Sequence, residues 1–148
     1  MGTINKSVTI NATADKVWNA LANLDLLDKI DRAVKQTSVI SSHSTGLDAA
    51  RKVDMKDGKN WFKEKVSVWQ PNEKLSFQLI DCTFPLTDLK YDYILKSTGN
   101  TTTVTQIMNY KMKFGILGKL MDALMVKKQF SKGVVLFHSD LKNYVESN

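Results

Sequence analysis

The stretch Lys113–Asn148 reads KFGILGKLMDALMVKKQFSKGVVLFHSDLKNYVESN. Its apolar residues Ile116, Leu120, Ala123, Phe130, Val134, Phe137, Leu141 and Tyr144 recur at steps of three or four, with one gap at Val126–Lys127. That spacing gathers them on one face of an α-helix. A second row, Leu117, Met121 and Leu124, widens the face in the first half only. No proline interrupts the pattern, and Gly133 is its one weak point, costing about 1 kcal/mol against alanine. A helix of roughly thirty residues is about 45 Å long, too long for an ordinary connector. The rest of the chain must supply a cover for its apolar stripe.

That cover is readable upstream. Thr3 to Ile10 alternates as a strand. In the next stretch, NATADKVWNALANLDLLDKI, Asn11 or Thr13 can cap a helix with apolar face Val17, Trp18, Leu21 and Leu24. A second short turn runs from Leu26 to Ile30. From Val34 the period changes to two. Strands are expected over Val34–Ser41, Leu47–Lys56, Trp61–Trp69, Leu75–Asp81, Leu89–Leu95 and Thr102–Met112. Asp57-Gly58 is a strong hairpin signal, Pro71-Asn72-Glu73 makes the next turn, and a loop from Cys82 to Asp88 carries Pro85. Short connections make this meander antiparallel. The fold class is α+β, with the sheet curled around the C-terminal helix to bury both apolar faces.

Hairpin geometry assigns faces. Centring the first turn on Asp57-Gly58 pairs Met55 with Asn60, Val53 with Phe62 and Arg51 with Glu64. Pairing Val68 with Leu75 across the next turn sets Val66 against Phe77, Glu64 against Leu79 and Phe62 against Asp81. The inner face then holds Arg51, Val53, Phe62, Glu64, Phe77 and Asp81 among other apolar residues. The last hairpin adds Tyr91, Tyr93, Gln106, Met108 and Tyr110 by the same parity. Charges on an apolar face are costly unless paired or wet. Two readings stand: a structural Arg51–Glu64 pair with Asp81 at a strand terminus, or polar groups orienting a ligand in a cavity.

Composition bounds the remainder. The chain has 148 residues, 43% hydrophobic and 24% charged, which suits one globular domain over residues 1–148. Its net charge of +6 is scattered, with only the Lys127-Lys128 pair on the helix, so no nucleic-acid partner is expected. No apolar run is long enough to span a membrane, and no signal core precedes the first strand, so a cytoplasmic location is expected. The glycosylation sequons at Asn5, Asn11 and Asn100 carry no weight without secretion, and Ser7 misses the myristoylation pattern. The single cysteine, Cys82, excludes an internal disulfide and reads as a small apolar residue. His43 and His138 are the only histidines. The first is expected in a solvated turn and the second on the helix surface. Neither has metal-ligand spacing, and no cofactor motif is present, so no metal and no cofactor are expected.

Two segments carry a resemblance. Val8-Thr9-Ile10-Asn11-Ala12-Thr13-Ala14-Asp15-Lys16-Val17-Trp18, followed by Leu21 and Leu24-Asp25, resembles the opening of the SRPBCC (START/birch-pollen-allergen-like) superfamily. Gly115-Ile116-Leu117-Gly118-Lys119-Leu120 through Leu141-Lys142-Asn143-Tyr144-Val145-Glu146 is similar to the final helix of its polyketide cyclase-like branch. The resemblance covers essentially the whole chain. It implies a helix-grip fold: a seven-stranded antiparallel sheet around a long C-terminal helix, two short helices after strand one, and a hydrophobic cavity between. The glycine-rich loop of the plant allergens is absent. The Tyr-Pro-x-Phe-x-Pro stretch of the ubiquinone-binding branch is replaced by Leu26-Leu27-Asp28-Lys29-Ile30. No His/His/carboxylate iron site is present.

The resemblance implies binding of a small hydrophobic ligand, such as a lipid, polyketide or aromatic metabolite. Two alternatives remain: a cyclase or dehydratase using Glu64, Asp81 or a tyrosine, and a protein-interaction module of co-chaperone or ribosome-associated type. Candidate binding residues are Arg51, Val53, Phe62, Glu64, Phe77, Asp81, Tyr91, Tyr93, Gln106, Met108 and Tyr110, with Leu117, Met121 and Leu124 on the helix. The helix itself divides. Phe130 to Tyr144 is expected to pack on the sheet, and Ile116 to Met125 to form lid and wall. Lys127 lies between them and either reaches the cavity or snorkels to water.

Overall fold

The structure is a computed structural model that describes residues 1–113 and 125–148. Strand β1 (Gly2–Ile10) leads into helices α1 (Ala14–Ala22) and α2 (Leu27–Ile30). Strands β2 (Val34–Val39), β3 (Ala50–Met55), β4 (Trp61–Gln70), β5 (Lys74–Cys82), β6 (Leu86–Thr98) and β7 (Thr101–Met112) follow, then helix α3 (Lys127–Ser147). The seven strands form one antiparallel sheet in the order β1-β7-β6-β5-β4-β3-β2. This is the architecture the resemblance implies.

Local chemistry explains the elements. Period-two alternation puts Val66, Leu75, Phe77, Tyr91, Tyr93, Leu95 and Val104 on the buried side. Gly58, at φ +78°, turns the β3–β4 hairpin in the left-handed region that glycine tolerates. Thr13 is the N-cap of α1, yet its side chain makes no capping bond. Asp15 in the first turn still complements the helix dipole.

One core joins α1, the sheet and α3. Val17, Trp18 and Leu21 of α1 meet Ile10, Phe77, Tyr91, Tyr93 and Val104 of the sheet, with Phe137, Leu141 and Val145 of α3. Trp18 meets Trp69 edge-on, with ring centroids 5.2 Å apart. A smaller cluster gathers Ile4, Leu86, Tyr110 and Val134, with Phe130 packed against it. The Phe130–Tyr144 half of α3 therefore packs on the sheet only in part, because Phe130, Gly133, Val134 and Phe137 also line a space left between helix and sheet. Its far end is tied to β1: Asn11 N–H donates to Glu146 Oε2 at 2.9 Å and Lys142 Nζ to the Thr9 carbonyl at 2.9 Å. Lid positions Leu117, Met121 and Leu124 lie outside the described residues.

The expected pairing holds in the first hairpin, where Arg51 faces Glu64 and Val53 faces Phe62. In the second it holds only for Val66 with Phe77 and Glu64 with Leu79. Register shifts between Lys63 and Glu64 and between Val66 and Val68 set Asp81 against Lys63 and Cys82 against Phe62. An extra residue in one strand reverses which side chains face inward beyond it. Asp81 consequently stands exposed, with its Oδ1 accepting from the Cys82 N–H at 2.8 Å.

Candidate functional site

The sheet floor under α3 carries a buried polar cluster. Arg51 on β3 and Glu64 on β4 are direct cross-strand partners, only 3% and 1% exposed. Arg51 Nε donates to Glu64 Oε1 at 2.9 Å and Nη2 lies 2.8 Å from the same oxygen. Arg51 also reaches the Leu24 carbonyl at 3.5 Å. Its guanidinium carbon sits 4.6 Å from the centroid of the Phe77 ring, in cation–π range. Tyr91 on β6 stacks on Phe77 at 5.3 Å and places its hydroxyl 2.7 Å from both Glu64 oxygens. The pair is thus hydrogen-bonded as well as charge-matched, which is what a buried ion pair requires. Burial is the largest single influence on Arg51 and opposes its charge, but Glu64, Tyr91 and Tyr93 together outweigh it and raise the arginine pKa.

Tyr93 meets Tyr91 edge-on at 5.4 Å and tilts against Phe137 of α3 at 6.1 Å. No hydrogen-bond partner for its hydroxyl is found among the described residues. Burial, with the Glu64 charge adding to it, pushes both tyrosine hydroxyls up, so both stay protonated at neutral pH. On β7, Gln106 Oε1 accepts from His138 Nε2 at 2.9 Å. His138 was expected on the helix surface; it is instead 4% exposed. Burial lowers its pKa to about 4, which keeps it neutral. Gln106 also borders the space beneath α3.

That space is a cavity of about 310 Å³, at the small end of ligand pockets. Of the expected residues, Arg51, Phe62, Tyr91, Tyr93, Gln106 and Met108 line it. Val53, Glu64, Phe77 and Tyr110 do not: Glu64 and Phe77 hold the lining residues Arg51 and Tyr91, and Tyr110 packs edge-on against Phe130 at 5.1 Å. Asp81 points away, and Cys82 takes the inward place. The Cys82 thiol donates to the Phe84 carbonyl at 3.4 Å.

Sequence reading missed the rim. Asp31, Arg32 and Ala33, just after α2, line the cavity opposite Gln129, Gly133 and Leu136 of α3. Arg32 clasps Asp140: Nη2 lies 2.6 Å from Oδ1, Nε 3.0 Å from Oδ1, and the Arg32 N–H 2.9 Å from Oδ2. Burial raises the Asp31 carboxyl despite its bond from the Ala33 N–H. A loop has no periodicity to mark it; an Asp-Arg pair after a short helix was the only available signal. Among the described residues no group of three His, Cys, Asp or Glu is placed to hold a metal ion. No helix among them is long and apolar enough to cross a membrane.

Residues 1–146 match a family model described as polyketide cyclase / dehydrase and lipid transport. The chain belongs to this family. No curated protein matches it. This polyketide cyclase/dehydrase and lipid transport family member is similar in structure to a START superfamily protein from Mycobacterium smegmatis. Their TM-score is 0.81 at 14% identity, over 98% of this chain and 97% of that one. A Thermus thermophilus protein aligns with TM-score 0.82 at 17% identity, over 99% and 98% of the two chains. The Zhui aromatase/cyclase from Streptomyces sp. R1128 aligns with TM-score 0.78 at 11% identity, over 98% and 93%. At these identities the likeness to solved structures is one of fold. The shared fold is the helix-grip architecture, an antiparallel seven-stranded sheet with a long C-terminal helix.

Proposed function

We propose that the chain binds one small, largely apolar molecule between sheet and α3, for transport or sequestration. A lipid, polyketide or aromatic metabolite would suit. One observation carries the reading: a 310 Å³ cavity with a mostly apolar and aromatic lining and a few polar groups converging on its floor. Arg51, Tyr93 and Gln106 are the groups that would orient the ligand; Phe62, Tyr91 and Met108 would pack on it. The family description, which couples cyclases with lipid transport, supports a ligand of this kind.

Binding is preferred to cyclase chemistry. Glu64 is already committed to Arg51 and Tyr91, Asp81 stands outside the cavity, and both buried tyrosines hold their protons. None is poised as a general base. Native mass spectrometry of the purified protein is the direct test, with 8-anilinonaphthalene-1-sulfonate (ANS) fluorescence and fatty-acid displacement alongside. A co-purified mass, or saturable ANS binding abolished by Met108→Trp, is expected. An empty protein that takes up neither probe would sink the reading.

A further inference from the structure

Among the described residues that line the cavity, five are exposed: Arg32, Ala33, Gln129, Gly133 and Leu136. All the others are buried or half-buried. The five come from two facing segments. Arg32 and Ala33 follow α2; Gln129, Gly133 and Leu136 share one face of α3 at steps of four and three. Among the described residues, the solvent-exposed part of the cavity lining therefore runs along the line between α2 and α3. Asp140, one turn beyond Leu136, receives the Arg32 clasp and closes one end of that line.

Gly133 sits in the middle of it. A glycine inside a helix disfavours the helix relative to alanine, so its presence asks for a cause. Packing gives none, since a Cβ built at Gly133 would meet nothing within 4 Å. Backbone strain gives none either, because Gly133 lies within the regular helix α3 and outside the positive-φ glycines. What its missing side chain does leave is open space, at the one described helical position that both lines the cavity and faces water without a side chain.

We propose that Gly133 is the threshold of the cavity, the position on α3 over which an apolar ligand passes between solvent and the sheet floor. The inference rests on the binding reading above and names the route that reading needs. A side chain at 133 would lean over the preceding turn, towards Gln129, and stand across the passage. The width left by glycine then limits the ligand to a flat or slender apolar body at this point.

The test uses ANS and the full chain. Association is followed by stopped flow, affinity by titration and stability by thermal melting, for wild type, Gly133→Ala, Gly133→Leu and Val135→Leu. Val135 is exposed on α3 and does not line the cavity, so it carries the same leucine to the outer face. Alanine and leucine both favour helix over glycine, so both Gly133 variants should melt higher. Gly133→Leu should slow ANS association at least about fivefold, an effect on access rather than on contacts. Val135→Leu should leave association unchanged. Opposite movements of stability and association separate a blocked passage from a damaged fold. Gly133→Leu melting higher with wild-type association and affinity overturns the proposal, as does equal slowing by Val135→Leu. A wild type that takes up no ANS, fatty acid or co-purified molecule removes the binding reading, and this inference with it.

Discussion

The Tyr91 hydroxyl lies 2.7 Å from each oxygen of the Glu64 carboxylate. One phenol therefore spans both acceptors while Arg51 holds Oε1 from the other side. Three side chains, from β3, β4 and, across the intervening β5, from β6, are locked into one unit beneath the cavity.

Breaking that unit from one side should be severe. Glu64→Gln leaves the Arg51 charge buried without a counter-ion, and a loss of about 3–5 kcal/mol in urea unfolding is expected. Replacing both partners, Arg51→Met with Glu64→Leu, should recover most of it, since a buried pair is often no better than well-packed apolar side chains. Wild-type stability in Glu64→Gln would show that the pair does not hold the floor together.

Tyr93 should behave in the opposite way. Tyr93 lines the cavity and its hydroxyl has no hydrogen-bond partner among the described residues, so Tyr93→Phe removes no hydrogen bond found there. Stability within about 0.5 kcal/mol of wild type is expected. Affinity for a carbonyl-bearing ligand should fall several-fold while affinity for a plain hydrocarbon probe stays unchanged. Equal loss for both probes would mean that the ring, not the hydroxyl, makes the contact.

His138 gives the protein an acid-side weakness. Its folded pKa of about 4 lies below the ordinary 6.5. Between those values the unfolded chain binds a proton that the folded one refuses. Stability contributed by the neutral ring is complete above about pH 6.5 and is lost as pH falls towards 4, by about 3 kcal/mol in all. His138→Gln should flatten the stability profile in that window, and NMR titration of the His138 ring protons should give the midpoint. A midpoint near 6.5 would refute the buried placement.

The fold was largely legible because its decisive features are local. The short loop centred on Asp57-Gly58 turns the chain between Met55 and Asn60, which fixes Arg51 against Glu64 with no knowledge of the rest. Asp81 was misplaced for a non-local reason. The β4–β5 ladder takes up extra residues at two points that no turn residue marks, and each reverses the faces beyond it. His138 was misread because the buried arc of α3 is wider than its apolar stripe: Val134, Phe137, His138, Leu141 and Val145 are all buried. Gln106, placed inward by parity on β7, was the clue, since one inward polar residue needs another to face it. The cavity rim at Asp31–Ala33 belongs to a loop, whose position depends on how α2 packs rather than on its own pattern.

The strand order sets a timetable for folding. Among the described strands β1 pairs with β7 alone, and Gly2 pairs with Tyr110, a separation of 110 − 2 = 108 residues. No neighbour for the first strand exists until the last has been synthesised. Hairpins from β2 to β7 can zip in sequence, but the sheet gains its final edge only through this long closure, which is slow because chain entropy must be given up before any contact repays it. On a ribosome the apolar face of β1 thus waits through most of translation, and the expected hazard is pairing of that idle strand with another nascent chain.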